Sequence, residues 1–145
     1  PVHQTSDRTM AEARLDPARL TGAYAWQTIF NTGAPLAFGS DAPVESPDPF
    51  AGLAAAISRT GPDGEPFGGW RIEERVSRAQ ALAGFTSAGA FAGFADGRFG
   101  KLAAGERADF VFIDQDLLLA SPESIRNTRV LETWVGGQKV FSATN

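Results

Sequence analysis

The spacing of apolar residues changes at Asp96-Gly97, and this change constrains the fold more than any other feature of the sequence. Before it, apolar residues recur at helical spacing, as in Leu20, Ala23 and Trp26. After it, short apolar runs are separated by turn residues, which is the pattern of strands. The sequence therefore predicts an α/β chain with a largely helical first part, a β-rich last part and a boundary near residue 97.

Three helix start signals organise the first part. An acidic N-cap followed by a first-turn proline occurs twice, and a Ser-x-x-Gln capping box occurs once. These signals lie at Asp16-Pro17, Asp48-Pro49 and Ser77 to Gln80. The first helix is predicted to end at Gly33 and the second at about Arg59. Small residues from Ser87 to Gly93 predict a further, tightly packed helical segment after the third signal.

A short apolar run from Pro35 to Phe38 follows the first predicted helix. It is too brief for a helix and is typical of a buried parallel strand. Gly39 and Ser40 then lead to Asp41, which would lie at the carboxyl end of that strand. Barrels and doubly wound sheets have their functional groups at such positions. An Asp41 whose carboxylate only caps the local turn is an equally good interpretation of the spacing.

His3 is the one histidine in the sequence, and a neutral imidazole can bind a metal or exchange a proton near neutral pH. A hydrolytic zinc ion takes roughly three protein ligands and keeps one position open for water. The sequence has no cysteine and no ligand-like cluster of acidic residues. No complete metal site is therefore predicted in this chain, and a solvated or structural role for His3 stays open.

Turn residues organise the remainder of the chain. Thr60 to Gly69 is rich in Gly, Pro and Asp and is predicted to be an exposed loop. A strand is predicted from Ala108 to Ile113. Two more strands, Arg129 to Val135 and Gln138 to Phe141, flank Gly136-Gly137, a pair that suits the primed turn of a β-hairpin.

Charge and hydropathy exclude two classes of partner. The formal net charge is −4 and the 13 Lys and Arg residues are scattered, so nucleic acid is not an expected partner. No apolar run approaches the roughly 20 residues of a membrane span, and the N-terminus lacks the order of a signal peptide. The absence of cysteine is compatible with a reducing compartment, and a cytoplasmic location is predicted.

Several segments together resemble the amidohydrolase superfamily, specifically its branch that includes N-substituted formamide deformylase. The segments that carry this resemblance are Pro1 to Asp7, Arg19 to Trp26, Ala37 to Val44, Ala81-Leu82 with Phe85-Thr86, and Gly100 to Val111. Each segment alone is weakly specific, whereas their order along the chain is specific. The resemblance covers nearly the whole chain.

This resemblance implies a (β/α)8 barrel with a small β-sandwich assembled from both chain ends. Residues 1–97 would be the C-terminal part of the barrel, with its last strands and helices, and residues 98–145 would be strands of the sandwich. The family's paired-histidine motif and its other ligand histidines have no match here, and the sequence opens at Pro1 without an initiator Met. We therefore expect a C-terminal fragment that is inactive alone.

The chemistry implied by the resemblance is hydrolysis of a C–N bond, an amide and in this branch an N-substituted formamide. The full-length enzyme would hold one or two divalent metals, expected to be zinc, at the barrel mouth, with no complete site in this fragment. Asp41 would be the aspartate after strand eight, which binds the metal and acts as general base. His3, near the end of strand seven, would contact substrate rather than metal.

Two partners are expected, a small-molecule amide substrate and the missing N-terminal part of the same protein. A truncated barrel exposes a strand edge and apolar helix faces, and association between copies of the chain is another way to cover them. The alternative function is a non-catalytic structural or interaction domain. A remoter alternative is a metal-free barrel hydrolase that uses Asp41 with His3. For Tyr24 and Arg59 the sequence leaves two interpretations open: a side chain that faces the pocket, or one on a helix surface or in the core.

Overall fold

The computed structural model describes residues 1–144 and shows a mixed α/β chain with a small antiparallel sheet near its C-terminal end. A 3-10 turn at Ile72–Glu74 precedes α5. No helix among these residues is both long enough and apolar enough to cross a membrane. The elements, in chain order, are α1 (Val2–Arg14), α2 (Pro17–Leu20), α3 (Trp26–Asn31), α4 (Pro49–Ser58), α5 (Arg78–Phe85), α6 (Ser87–Ala92), β1 (Phe110–Ile113), α7 (Pro122–Arg126), β2 (Val130–Val135) and β3 (Gln138–Ser142).

The three predicted helix starts are confirmed by their caps. The Asp16 carboxylate accepts the backbone N–H of Arg19 at 2.9 Å, and the Asp48 carboxylate accepts that of Phe50 at 2.9 Å. Before α5, the Ser77 side chain and Gln80 form both hydrogen bonds of the capping box. These caps satisfy backbone donors that the first helical turn leaves unpaired.

The prediction of one continuous helix from Pro17 to Gly33 is wrong. The structure has two short helices, α2 and α3, separated by residues 21–25. Tyr24 has a φ of 51°, in the left-handed region that an α-helix cannot accommodate. The apolar periodicity of the sequence continues through Tyr24, but the helix is interrupted there. Contacts with other parts of the chain hold Tyr24 in this conformation.

The predicted strand at Pro35 to Phe38 is also not formed. Residues 34–40 form no helix or strand, and Pro35 and Ala37 are exposed. The one backbone–backbone hydrogen bond of this segment within residues 1–144 joins the Phe38 N–H to the Gly84 carbonyl at 2.9 Å. A strand needs a neighbouring ladder, which the described residues do not supply, so the barrel stays a prediction.

The predicted β-hairpin is confirmed, as is the strand before it. β1, β2 and β3 pair antiparallel in that order. Gly136 and Gly137 connect β2 to β3 with φ values of 59° and 76°, the conformation that only glycine adopts readily at both positions. Across the β1–β2 pair, the rings of Phe110 and Trp134 stack with centroids 5.6 Å apart. This aromatic packing between cross-strand partners thus stabilises the register of β1 and β2.

The helices α1 and α7 are absent from the sequence prediction. α1 begins at Val2 without a side-chain cap, so no start signal marks it. α7 does carry a signal, since the Ser121 hydroxyl accepts the Ser124 N–H and Pro122 occupies the first turn. The predicted loop from Thr60 to Gly69 is confirmed, because it contains neither helix nor strand.

The core is built around α4, whose Ala54, Ala55 and Ala56 are fully buried. α7 packs on α4 and adds Ile125 to the same core. Both predicted regions of the chain therefore contribute to one cluster, and the boundary near residue 97 stays a prediction. The buried members of this cluster are Trp26, Phe50, Leu53, Ala54, Ala56, Val76, Ala81 and Ile125.

Candidate functional site

The segments that carry His3 and Asp41 meet at one small cavity of about 150 Å³. Val2, at the start of α1, lines it together with Gly39 and Ser40. His3 and Asp41 each come directly after one of these lining residues. The remaining wall is formed by Pro47, Asp48, Pro49, Gly52 and Phe85. The fold therefore brings the two predicted site segments together, while the His3 and Asp41 side chains do not themselves line this cavity.

His3 lies in the first turn of α1 and is half-buried. No strand precedes it among the described residues. Within residues 1–144 its imidazole makes no hydrogen bond or ion pair. Its predicted contact with substrate stays a prediction.

Asp41 is exposed and has a φ of 53°. Its backbone carbonyl accepts the Val44 N–H at 2.9 Å, which closes a turn. Its carboxylate, in contrast, forms no hydrogen bond or ion pair with any of residues 1–144. A capping side chain must accept a backbone N–H, so the capping interpretation of Asp41 finds no support. Both carboxylate oxygens remain available to a proton or a cation.

A buried arginine is the functional-site candidate that the sequence prediction left open. Arg59 ends α4 and its side chain is fully buried, with a φ of 61°. Its Nε donates to the Trp70 carbonyl and its Nη1 to the Tyr24 carbonyl, both at 2.9 Å. The guanidinium lies over the Trp26 ring, 4.3 Å from the centroid. Burial lowers the pKa of Arg59 to about 10, so it stays a cation at neutral pH.

Tyr24 and Asp7 form a second polar contact beside this arginine. The Tyr24 hydroxyl donates to the Asp7 carboxylate at 2.9 Å. Burial, together with the adjacent negative charge of Asp7, raises the pKa of Tyr24 to about 12. Asp7 and Tyr24 both lie in segments that carry the family resemblance. The sequence leaves the role of Tyr24 open and does not single out Asp7. Their contact joins residues 17 positions apart, which periodicity cannot bring together.

The chain matches a known family over almost its entire length. The sequence profile described as "Amidohydrolase family" aligns with residues 1–141. The chain belongs to this family. Membership of the amidohydrolase family confirms the wider resemblance, while the narrower formamide deformylase branch is a matter for proposal.

Two curated relatives extend the comparison. The chain is similar to the "Putative amidohydrolase YtcJ" of Bacillus subtilis (strain 168), with 28% identity over 141 residues, 97% of this chain and 27% of the relative. It is also similar to "Protein LONG AFTER FAR-RED 3" of Arabidopsis thaliana, with 31% identity over 142 residues, 97% of this chain and 24% of the relative. The chain thus spans about a quarter of the length of these relatives. No solved structure matches it.

Amidohydrolases generally use divalent metals, and the described residues fit such an ion only in part. Asp41 offers a carboxylate that no protein donor occupies, which is suitable chemistry for one ligand. Within residues 1–144, however, no group of three or more His, Cys, Asp or Glu side chains is placed to hold a metal. The part of the amidohydrolase seen here therefore does not form a complete metal site.

Proposed function

We propose that this chain is the C-terminal part of a cytoplasmic, metal-dependent amidohydrolase that hydrolyses C–N bonds of small amides, in particular N-substituted formamides. Asp41 is the metal ligand and general base, and His3 contacts the substrate. Residues 1–97 belong to a (β/α)8 barrel and residues 98–145 to its β-sandwich. Hydrolysis requires the rest of the protein, because this chain lacks the other ligands.

The observation that carries the proposal is the free carboxylate of Asp41 beside a cavity that the start of α1 also lines. In a barrel, the carboxyl ends of neighbouring strands open on one face, where catalytic groups gather. The meeting of Val2 with Gly39 and Ser40 is the arrangement expected for two consecutive strand ends. An exposed carboxylate without a protein partner is available for chemistry at that face.

The small number of backbone partners of segment 34–40 within residues 1–144 supports the proposal of a barrel. The main chain of this segment makes one backbone–backbone hydrogen bond within residues 1–144. Backbone donors and acceptors that lack partners are a template for pairing with further strands. The remaining strands of a barrel would supply these partners and would also cover Pro35 and Ala37, which are exposed in this chain.

Asp41 performs the proton transfers in this proposal. Its carboxylate takes a proton from the attacking water and then delivers it to the nitrogen of the leaving amine as the C–N bond breaks. A divalent ion held by Asp41 and by ligands outside this chain would supply Lewis acidity at the amide carbonyl. His3 stays a substrate contact, as the family resemblance implies for a residue near the end of strand seven.

The experiment is a pair of matched substitutions in the full-length enzyme. Asp41→Asn should lower turnover of a panel of N-substituted formamides and acetamides by about 10²- to 10⁴-fold, the usual contribution of a general base. Asp96→Asn is the control, because Asp96 is also exposed and its carboxylate makes no hydrogen bond within residues 1–144. Near-normal turnover of Asp41→Asn, measured as amine release with metal content unchanged, would remove the catalytic assignment.

The second candidate is a non-catalytic structural or interaction domain. It is favoured by the lack of a three-ligand metal group within residues 1–144 and by fully exposed aromatic side chains such as Phe67 and Phe94. If none of the amide panel is hydrolysed by the full-length protein while it remains folded, this second function would replace the first.

A further inference from the structure

The helix that carries His3 is held mainly by polar contacts. α1 spans 13 residues but buries only Gln4 and Ala11, and no side chain caps its N-terminus. Hydrophobic burial therefore contributes little to fixing its first turns. Two side-chain hydrogen bonds reach it from elsewhere in the chain, Tyr24 to Asp7 and Trp70 to Glu12, each at 2.9 Å.

The Asp7 contact lies on the same helical face as His3. Residues four apart in an α-helix are neighbours on its surface, so Asp7 follows His3 by about one turn. The Tyr24 hydroxyl therefore restrains the part of α1 that presents His3. The Glu12 contact lies more than one turn further on, towards the C-terminal end of the helix.

Besides its hydroxyl bond to Asp7, Tyr24 makes two contacts that hold it in an unfavourable backbone conformation. Its φ of 51° places the backbone in a conformation that is unfavourable for a residue with a side chain. Its carbonyl accepts the Nη1 of buried Arg59 at 2.9 Å. The edge of its ring meets Trp70, with centroids 6.1 Å apart. A donor held in this way can fix the orientation of its acceptor, Asp7.

Arg59 connects these contacts to the other side of the cavity. It is the residue that ends α4, and α4 begins at Pro49, which lines the cavity next to the Asp41 segment. The buried guanidinium thus fixes Tyr24 to the helix that follows Asp41. Through Tyr24 and Asp7, the positions of α4 and of the first turns of α1 are joined by side-chain hydrogen bonds.

We infer that Asp7 and Tyr24 are positioning residues that hold the His3 turn of α1 in place for substrate binding, with Arg59 fixing Tyr24. This inference rests on the proposed function, because it requires His3 to contact substrate. The competing explanation is that the contact only stabilises the fold. Glu12 provides the matched control, since it is another α1 carboxylate that accepts one hydrogen bond from an aromatic side chain.

The kinetic test uses the full-length enzyme and the formamide of the panel that it hydrolyses fastest. Tyr24→Phe and Asp7→Ala should each raise KM about fivefold, the equilibrium effect of one net hydrogen bond, with a smaller change in kcat. Asp7→Asn keeps an acceptor oxygen and should restore most of the wild-type KM. Glu12→Ala should leave KM within about twofold even if it lowers Tm. An equal rise of KM in Glu12→Ala would contradict the inference.

A His3→Ala variant separates failure of this inference from failure of the proposed function. If His3→Ala raises KM and Tyr24→Phe adds little further to it in the double variant, the two residues act through one another. If His3→Ala raises KM but Tyr24→Phe leaves KM unchanged, the inference alone is wrong. If His3→Ala leaves KM unchanged, the substrate contact is wrong and the inference is overturned with it.

Hydrogen exchange gives a second readout that does not depend on turnover. In the full-length protein, Tyr24→Phe should speed amide exchange in residues 2–8 while leaving the C-terminal half of α1 near its wild-type rate. Glu12→Ala should show the opposite distribution along the helix. Unchanged exchange in residues 2–8 of Tyr24→Phe would contradict the positioning role.

Discussion

Tyr24 shows how one residue departs from local preference because of its tertiary surroundings. Tyr24 lies within the helical spacing of Leu20, Ala23 and Trp26, which indicates a helix, yet its backbone lies in the left-handed region. The carbonyl bond from Arg59 and the hydroxyl bond to Asp7 hold it there. Such contacts join residues that are 35 and 17 positions apart, so no local pattern could have predicted them.

The ionisation of Tyr24 provides a direct test of its surroundings. Tyr24 is the only tyrosine of the chain, so the absorbance of tyrosinate reports on it alone. We expect a midpoint near pH 12 in place of the ordinary value of 10. Asp7→Asn should lower this midpoint, because it removes the negative charge beside the hydroxyl. A midpoint near 10 in the folded wild-type chain would contradict the buried contact.

The same pKa shift gives stability a defined pH dependence. Because the folded-state pKa lies above the unfolded value, the contribution of Tyr24 is fully present below pH 10 and is lost as pH rises through about 12. In that interval the unfolded tyrosine has released its proton while the folded one retains it. Tyr24→Phe should therefore weaken the loss of stability over this range in urea unfolding.

At the same scale, Asp41 illustrates what sequence can establish for a site. Its place after an apolar run and Gly39-Ser40 indicated a residue at the end of a strand, and the structure puts it beside the cavity lined by Val2. Only the structure could test whether the Asp41 side chain caps a turn, because capping and functional carboxylates occur at the same position after a strand. The role of Asp41 in catalysis stays a prediction.

Among the elements, most of those with local start signals were predicted, although α7 was missed despite its Ser121 cap and Pro122. The caps of α4 and α5 and the glycine turn of the β2–β3 hairpin are formed by residues adjacent in sequence to these elements. Pro35 to Phe38, within segment 34–40, was predicted as a strand from its apolar run. It forms none here because a parallel strand is stabilised by neighbours far away in sequence, which the described residues do not contain.

The contact between segment 34–40 and α5 can be tested with one methyl group. A Cβ at Gly84 would lie 2.4 Å from Cδ2 of Phe38, so Gly84→Ala should lower the free energy of unfolding by about 1–3 kcal/mol through overpacking. Gly89 in α6 is the control, because a Cβ there meets nothing within 4 Å. Gly89→Ala should be neutral or stabilise by up to about 1 kcal/mol.

Urea unfolding of the 145-residue chain measures both glycine variants. A Gly84→Ala protein as stable as wild type would show that Phe38 does not pack against α5 in solution. Loss of stability in Gly89→Ala but not in Gly84→Ala would contradict the packing of this region as a whole. Each substitution adds one methyl group, so the difference between their free energies of unfolding isolates the Phe38 contact.

At the scale of the whole molecule, the exposed apolar side chains are the basis on which we propose that a partner covers part of this chain. Phe67 and Phe94 are 97% and 92% exposed, and Leu119 is 82% exposed. Single exposed apolar residues are common, but these occur together with segment 34–40, which makes one backbone–backbone hydrogen bond within residues 1–144.

Light scattering distinguishes the two functions at this scale. If the chain is part of a barrel, we expect the isolated 145 residues to self-associate, and addition of the N-terminal part of the protein to reduce that association. A stable, monodisperse monomer would instead favour an autonomous, non-catalytic domain. The exposed apolar surface decides between the two results. It causes association if it belongs to an interface, and it stays in contact with water if the chain is an autonomous domain.

The most direct test of the central claim is the metal content of the full-length protein and of the 145-residue chain after dialysis side by side against zinc. Asp41 is proposed to share a metal with ligands that this chain does not contain, and residues 1–144 hold no three-ligand group. We therefore predict one or two zinc ions in each full-length molecule, about the number of an amidohydrolase site, and none in the chain alone. Stoichiometric zinc in the isolated chain, or a full-length protein without metal, would contradict the account.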